Sequence, residues 1–239
     1  MSITLGADCT HANIASLPAG LFPAGYVTEA NPGDGIAWTA ADFAKYPHAV
    51  RIAQSPALSV DVNAHADVLD VEAGAATLAD IGAWATAALA SFKAASRPGQ
   101  RTPLVYCSAS NVTAVVNALN SAKLNHGEVG LWVAHWGEGQ ATAIADVNNA
   151  SGPWPVHATQ YANAGKYDLD VFSTAWLSNV SGKPAPPTSF GGVQAGWRWC
   201  TKCQGLFWGN GVAKSVCPAG NRHVFVTTNY SYVLTWEKS

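Results

Sequence analysis

The chain alternates short apolar runs with stretches of helical pattern. Residues 3–8, 24–28, 49–53, 67–72, 103–107, 130–135, 156–161 and 168–172 are predicted as strands. The run Val68-Leu69-Asp70-Val71-Glu72 is apolar until its end, as befits a strand buried on both faces. Between these runs the pattern predicts helices over 39–45, 77–94, 111–122 and 141–148. Thr77 is a natural cap for the second, with Asp80 in its first turn, and Arg97-Pro98-Gly99 stops it. Thr39 and Asp42 open the first, and Pro47 lies beyond its end. Ser110 or Asn111 caps the third.

Eight strands alternating with helices predict an α/β protein built as a parallel (β/α)8 TIM-like barrel, with an open doubly wound sheet as the alternative. The 239 residues suffice, since such barrels run as single domains of roughly 200–250 residues. The stretch from Asp8 to Ala49 leaves the second βα unit poorly defined. The composition changes after Ser178, so the barrel is assigned to 1–178. Residues 179–195, containing Pro184, Pro186 and Pro187, read as a Pro/Gly/Ser linker. Residues 196–239 form a small, mostly β, Trp- and Cys-rich module too short to build a large core, so a staple or docking surface is expected.

Composition narrows the function. Half of the chain is hydrophobic (49%) but only 12% is charged, against a typical value of about 25%. The net charge is −2 and no Lys/Arg run occurs, which argues against nucleic acid as a partner. No apolar run approaches the roughly 20 residues of a membrane span. The first residues lack the basic start and apolar stretch of a secretory signal, so release by lysis or a non-classical route is expected. Ten Trp suit the faces of sugar rings, although core packing accounts for most of them.

In a (β/α) barrel, chemistry gathers at the C-terminal ends of the strands. Asp8 ends the first strand; Asp70 and Glu72 end the fourth; Tyr106 ends the fifth. His135 and Trp136 end the sixth, and Gln160 and Tyr161 the seventh. Asp70 and Glu72 are two apart, so on a strand they point the same way and repel when both are ionised. A carboxyl so raised keeps its proton and can donate it to a glycosidic oxygen. Glu72, nearer the mouth and longer, is the better acid, and Asp70 would orient it or stabilise positive charge. A lone Asp-x-Glu is common; its place after an apolar run, among other polar strand ends, gives it weight.

An ordered series of segments resembles glycoside hydrolase family 25, the lysozyme-type muramidases. The series is Gly6-Ala7-Asp8-Cys9-Thr10, Leu69-Asp70-Val71-Glu72, Pro103-Leu104-Val105-Tyr106, Leu131-Trp132-Val133-Ala134-His135-Trp136, Thr159-Gln160-Tyr161 and Tyr167-Asp168-Leu169-Asp170-Val171-Phe172, covering roughly residues 1–177. The resemblance implies an irregular barrel that hydrolyses the β-1,4 link between N-acetylmuramic acid and N-acetylglucosamine. It implies Glu72 as general acid and Asp8, Asp70 and Asp168 as supporting carboxylates, with no cofactor. Tyr106, Trp132, Gln160 and Tyr161 would line the groove, with His135 and Trp136 beside them. Either a carboxylate or the substrate's acetamido group would serve as nucleophile, and both routes retain configuration. The chain departs from the family pattern at Arg51-Ile52-Ala53-Gln54-Ser55, where an acidic segment is usual, at Asp170, where Asn is usual, and in the loop 29–38.

The tail carries Cys200-Thr201-Lys202-Cys203 and then Cys217 and His223. A Cys-x-x-Cys turn places two thiolates on one metal, and Cys217 and His223 could complete a tetrahedral structural zinc site. Disulfides or free thiols remain open; five cysteines cannot all pair. Cys9 and Cys107 read as buried thiols. The segment resembles a Trp/Cys module of actinobacterial secreted proteins, with Trp197, Trp199, Phe207 and Trp208 either stacking on sugars or filling the module's own core.

No phosphate loop, nucleophile elbow or dinucleotide fingerprint is present. The expected protein is therefore a monomeric cell-wall glycan hydrolase, endolysin-like, acting on peptidoglycan or another wall polysaccharide. The alternatives are a non-catalytic wall-polysaccharide-binding protein and a component of a phage-like particle.

Overall fold

A computed structural model describes residues 2–56, 60–148 and 154–181. Beyond them it describes 192–200, 202–203, 206–208, 217–219, 223–224 and 232–236. The chain divides into two compact units, Met1–Lys183 and Pro184–Ser239.

The first unit is a closed barrel of eight strands in sequence order. These are β1 (Ile3–Cys9), β2 (Phe22–Thr28), β3 (Val50–Ala53), β4 (Val68–Asp70), β5 (Leu104–Ser108), β6 (Gly130–Ala134), β7 (Val156–Asn163) and β8 (Asp168–Ser173). Each coincides with one of the apolar runs. The barrel is mixed, which corrects the all-parallel expectation: β1 to β7 run parallel, but β8 is antiparallel to both β7 and β1. The cause is the connection. A parallel crossover takes a dozen or more residues, whereas only 164–167 separate β7 from β8. This tight hairpin is closed by Ala164 N–H donating to the Tyr167 carbonyl at 2.9 Å, with Gly165 at φ +86°.

Among the described residues, six α-helices surround the sheet: α1 (Ala40–Lys45), α2 (Val60–Ala64), α3 (Ile81–Lys93), α4 (Val112–Ser121), α5 (Gln140–Asn148) and α6 (Thr174–Ser178). The cap of α1 is as expected, a reciprocal box between Thr39 and Asp42. The second predicted helix starts later than the pattern suggests. Thr77 N–H and Oγ1 both donate to the Asp80 carboxylate, at 2.8 and 2.6 Å, so 77–80 form a turn and α3 begins at Ile81. Strand β4 also stops short, at Asp70. Val71 N–H still bonds the Tyr106 carbonyl, but Glu72 opens a turn closed by Ala75 N–H at 3.1 Å and bent by Gly74 at φ +89°.

In the poorly defined region after Asp8, strand β2 and helix α1 are joined by a loop held from within. The Glu29 carboxylate accepts N–H bonds from Gly33, Ile36 and Ala37, at 2.7, 2.8 and 3.0 Å. Trp38 is buried and donates from Nε1 to the Cys9 carbonyl at 2.8 Å.

Alternation along the strands sorts side chains into two layers. Val50, Ile52, Val68, Leu104, Trp132, Ala158 and Phe172 fill the barrel interior. Leu69, Val105, Leu131 and Val133 face outward and pack under α3 and α4 with Ile81, Trp84, Val115 and Leu119. The N-terminal ends of the strands are plugged by Arg101, whose guanidinium lies over the Phe22 and Trp176 rings. Asp67, fully buried, accepts from Arg97 Nη2 at 2.5 Å, from Arg101 N–H at 2.6 Å and from Arg51 N–H at 3.0 Å.

Residues 179–181, placed in the linker by composition, belong to the barrel unit. Asn179 Nδ2 donates to Thr102 Oγ1 at 2.8 Å, Ser181 N–H to the Gln100 carbonyl, and Ser181 Oγ to the Arg97 carbonyl. Linker residues 182–191 lie outside the described residues. The second unit contains a three-stranded antiparallel sheet, ordered β10 (Leu206–Trp208), β9 (Gly192–Trp199), β11 (Tyr232–Trp236). Trp197 is the register partner of both Trp208 and Tyr232.

Candidate active site and metal centre

At the barrel end formed by the C-terminal ends of β1 to β7 and the start of the antiparallel β8, polar side chains converge. Asp8 lies on β1, Tyr26 on β2 and Gln54 just past β3. Asp70 ends β4, Tyr106 lies on β5, Trp132 on β6, Gln160 on β7, and Asp168 and Asp170 on β8. Asp8, Tyr26, Ile52, Asp70, Tyr106, Trp132 and Gln160 line one throat inside the barrel. Register explains part of the meeting: Asp8 is the direct partner of Asp168 across the β1–β8 pair, and Gln160 of Asp170 across β7–β8.

Hydrogen bonds fix the throat. Tyr106 OH donates to Gln160 Oε1 at 2.7 Å, and Gln160 Nε2 donates to Asp8 Oδ2 at 2.7 Å. Tyr26 OH donates to Asp8 Oδ1 at 3.1 Å. Gln54 Nε2 donates to Asp70 Oδ2 at 3.3 Å. The backbone around Gln54 is itself anchored, because the Gln54 and Ser55 N–H groups both donate to Thr28 Oγ1.

The electrostatics follow from burial and crowding of like charges. Burial, with the Asp168 charge behind it, pushes Asp8 up to about 7. Asp70 is driven well above the carboxylate range by burial, then by Glu72 and Asp8. Glu72 is solvent-accessible at the rim, yet partial desolvation and the Asp168 charge raise it too. Asp168 is raised by burial and eased down by Asn163, whose Nδ2 donates to Oδ1 at 2.6 Å. Asp170 is fully buried, and neither carboxyl oxygen has a hydrogen-bond partner of good geometry among the described residues. Burial and the charges of Asp8 and Asp168 push it far up. Tyr26 and Tyr106, raised chiefly by burial, remain phenols that donate.

Of the sequence-predicted residues, the structure brings Asp8, Asp70, Tyr106, Trp132 and Gln160 into the throat, with Glu72 and Asp168 at its mouth. It places two elsewhere. His135 Nδ1 bonds the Asp146 carboxylate of α5 at 2.6 Å, so its ring is held on the helix layer. Tyr161 follows Gln160 on β7 and therefore faces outward, against Ala143, Val147 and Val171. Trp136, half exposed (50%), stands beyond the end of β6. Sequence reasoning missed Tyr26, Gln54 and Asn163. Tyr26 sits one period-two step inside Thr28, a signal that the pattern of β2 contained.

The second unit holds a separate cluster. The ligand atoms of Cys200, Cys203, Cys217 and His223 all lie within 4.8 Å of one another and could hold a metal ion. Cys200 and Cys217 Sγ are 3.9 Å apart, far beyond a disulfide bond, and Cys203 Sγ is 3.7 Å from His223 Nδ1. Burial would raise the Cys200 thiol, but N–H donors of Cys203 and Val224, with His223, bring it down to about 5. A thiol so stabilised as its anion is a ready ligand. The side chains of Trp197, Trp199, Phe207 and Trp208 lie outside the described residues. Cys9 and Cys107 are buried free thiols, both raised by burial to about 12.

Fold and site together define an α/β barrel protein with a carboxylate-lined mouth and a Cys3His tail. No family model matches the chain, and no curated protein matches it. Among solved structures, the 1.07 Å crystal structure of an uncharacterized B. stearothermophilus protein is similar at 14% identity and TM-score 0.45, over 73% of this chain and 98% of that one.

Proposed function

We propose that the barrel is a glycoside hydrolase of the muramidase type, cutting a β-1,4 link in peptidoglycan or a related bacterial wall glycan. One observation carries the reading. Asp8 of the first strand, Asp70 ending the fourth, Glu72 in the turn after it and Asp168 of the eighth strand share one barrel end, where burial raises all four carboxyls and the neighbouring charges add to the rise at Asp8, Asp70 and Glu72. Perturbed carboxylates at the mouth of a barrel are what acid–base chemistry needs. The ordered resemblance to family 25 supports the same assignment.

In this mechanism Glu72, accessible at the rim, gives its proton to the glycosidic oxygen as the bond to the anomeric carbon breaks. Positive charge then grows on the sugar ring, facing the Asp168 carboxylate, with Asp8 beside it. Asp70, sealed deeper and held by Gln54, is raised by burial and by the neighbouring Glu72, and it orients the acid. The Glu72 carboxylate finally takes a proton from the attacking water. Retention through a carboxylate or acetamido intermediate follows the family pattern.

For the tail, the donor set of three thiols and one imidazole favours zinc over harder cations. The role that fits is structural, stapling a unit of few residues and presenting its Trp-bearing sheet to the wall.

A second reading is a wall-glycan-binding protein without turnover. It is favoured by Gln54, a neutral amide on Asp70 where the family carries an acidic segment. Reducing-end release from purified bacterial walls separates the two. The parent is expected to release sugar ends, and Glu72→Gln to lose that release by roughly 10²–10⁴-fold while still pelleting with walls. An inert parent that still pellets with walls of several chemotypes would replace the hydrolase reading by the binding one.

A further inference from the structure

The β7–β8 hairpin does more than reverse the chain. Its first residue, Asn163, makes two short bonds: Gly165 N–H donates to Oδ1 at 2.6 Å, and Nδ2 donates to Asp168 Oδ1 at 2.6 Å. The first bond fixes the amide's orientation, since only Oδ1 can accept from a backbone N–H. Nδ2 must then point at Asp168 as a donor. Gly165, at φ +86°, is what allows the chain to present that N–H. Asp168 in turn is the cross-strand partner of Asp8.

We propose that Asn163 is a positioning residue: its clamped amide holds Asp168 ionised and fixed in orientation opposite Asp8, so that Asp168 sets the protonation of Asp8 and Glu72. The proposal rests on the reading of the mouth as the glycosidase site, and names the residue that tunes it. Burial raises all three carboxyls; beside it, Asn163 lowers Asp168 while Asp168 raises both Asp8 and Glu72. A hydrogen bond to the charged form of a carboxyl favours that form, and the charge so maintained disfavours ionisation of its neighbours.

Other groups face Asp168 as well. From β1 and β2 come Asp8, Cys9 and Tyr26, and from the hairpin Lys166 and Tyr167. Glu72 faces it from the turn after β4, and Asp170 from its own strand. Of these only Lys166 carries positive charge, and it is exposed. Asn163 is the neighbour that donates a hydrogen bond directly to the Asp168 carboxylate among the described residues.

The test is a carboxyl ¹³C NMR titration of the full chain, comparing the parent with Asn163→Ala, Asn163→Ser, Asp168→Asn and the double variant Asn163→Ala/Asp168→Asn. Asn163→Ala and Asn163→Ser are expected to move the Asp168 midpoint up by about one pH unit and those of Asp8 and Glu72 down by about half of one. Asp168→Asn should lower Asp8 and Glu72 further, and adding Asn163→Ala to it should change neither. An unmoved Asp168 midpoint in both single Asn163 variants overturns the proposal. So does an equal shift of Asp8 and Glu72 whether or not Asp168 is present. The titration needs no turnover, so failure of the wall assay leaves it standing. Where walls are hydrolysed, the alkaline limb of kcat/KM should move down in the same variants.

Discussion

Asp8 and Asp168 stand directly opposite each other on antiparallel strands β1 and β8, two carboxylates in one register pair. Like charges placed across a pair destabilise it unless one is protonated. Asp8 is the one that holds its proton, with a pKa of about 7 against an ordinary 3.8.

A pH dependence follows. A carboxyl raised on folding contributes stability below its unfolded pKa and loses it as pH climbs through the folded value. Asp8, Asp70 and Asp170 all shift upward in the fold. Thermal stability is therefore expected to decline from about pH 4 through pH 7 and beyond, by a few kcal/mol in order of magnitude. Asp170→Asn removes a buried acid and should raise the Tm at pH 8 while leaving it nearly unchanged at pH 5. Calorimetry at the two pH values checks this, and equal shifts at both would refute the electrostatic account.

Tyr106→Phe deletes the donor that holds Gln160. The Gln160 Oε1 atom is then buried without a partner, at a cost of about 1–3 kcal/mol. Gln160 loosens its bond to Asp8, whose midpoint should rise above its parent value of about 7. Denaturant unfolding together with carboxyl NMR reads both effects.

Asp67→Asn attacks the opposite end of the barrel. Both Asp67 oxygens bind backbone N–H groups and guanidinium groups of Arg97 and Arg101 in a sealed site. Breaking such a cluster leaves buried cations uncompensated and costs about 3–5 kcal/mol. Stability should fall while wall hydrolysis, measured well below the Tm, keeps the parent rate. A rate loss at constant folded fraction would place Asp67 in the chemistry instead.

Metal removal should separate the two units. With the Cys200, Cys203, Cys217 and His223 ligand atoms drawn together, one zinc per chain is expected by elemental analysis. A strong chelator, or Cys200→Ser with Cys203→Ser, is expected to abolish the melting transition of the second unit and to leave that of the barrel in place. A metal content near zero in freshly purified, reduced protein would sink the zinc assignment.

Much of this was legible along the chain. All eight strands fall where apolar runs predict, because a strand buried on both faces has nowhere to place polar residues. Asp8, Asp70, Tyr106 and Gln160 sit near strand ends, and strand ends are where a barrel opens. The Cys200-x-x-Cys203 turn is local, so its spacing alone announces two converging thiols. The reversal of β8 was also written in the sequence, as a gap of six residues between 161 and 168 too short for a crossover helix.

Other features exist only once the barrel closes. Nothing in the spacing of Asp8 and Asp168, 160 positions apart, says that they become partners; closure between the first and last strands decides it. His135 is drawn to the helix layer because α5 packs beside β7 and β8 and brings Asp146 to its Nδ1, a neighbour that the sequence near His135 does not announce. The sequence by itself determined which residues form strands, since hydrophobic periodicity is a local property. Which carboxylates share a field, and which of them keeps its proton, was decided by tertiary structure, because desolvation and Coulomb repulsion act through space and not along the chain.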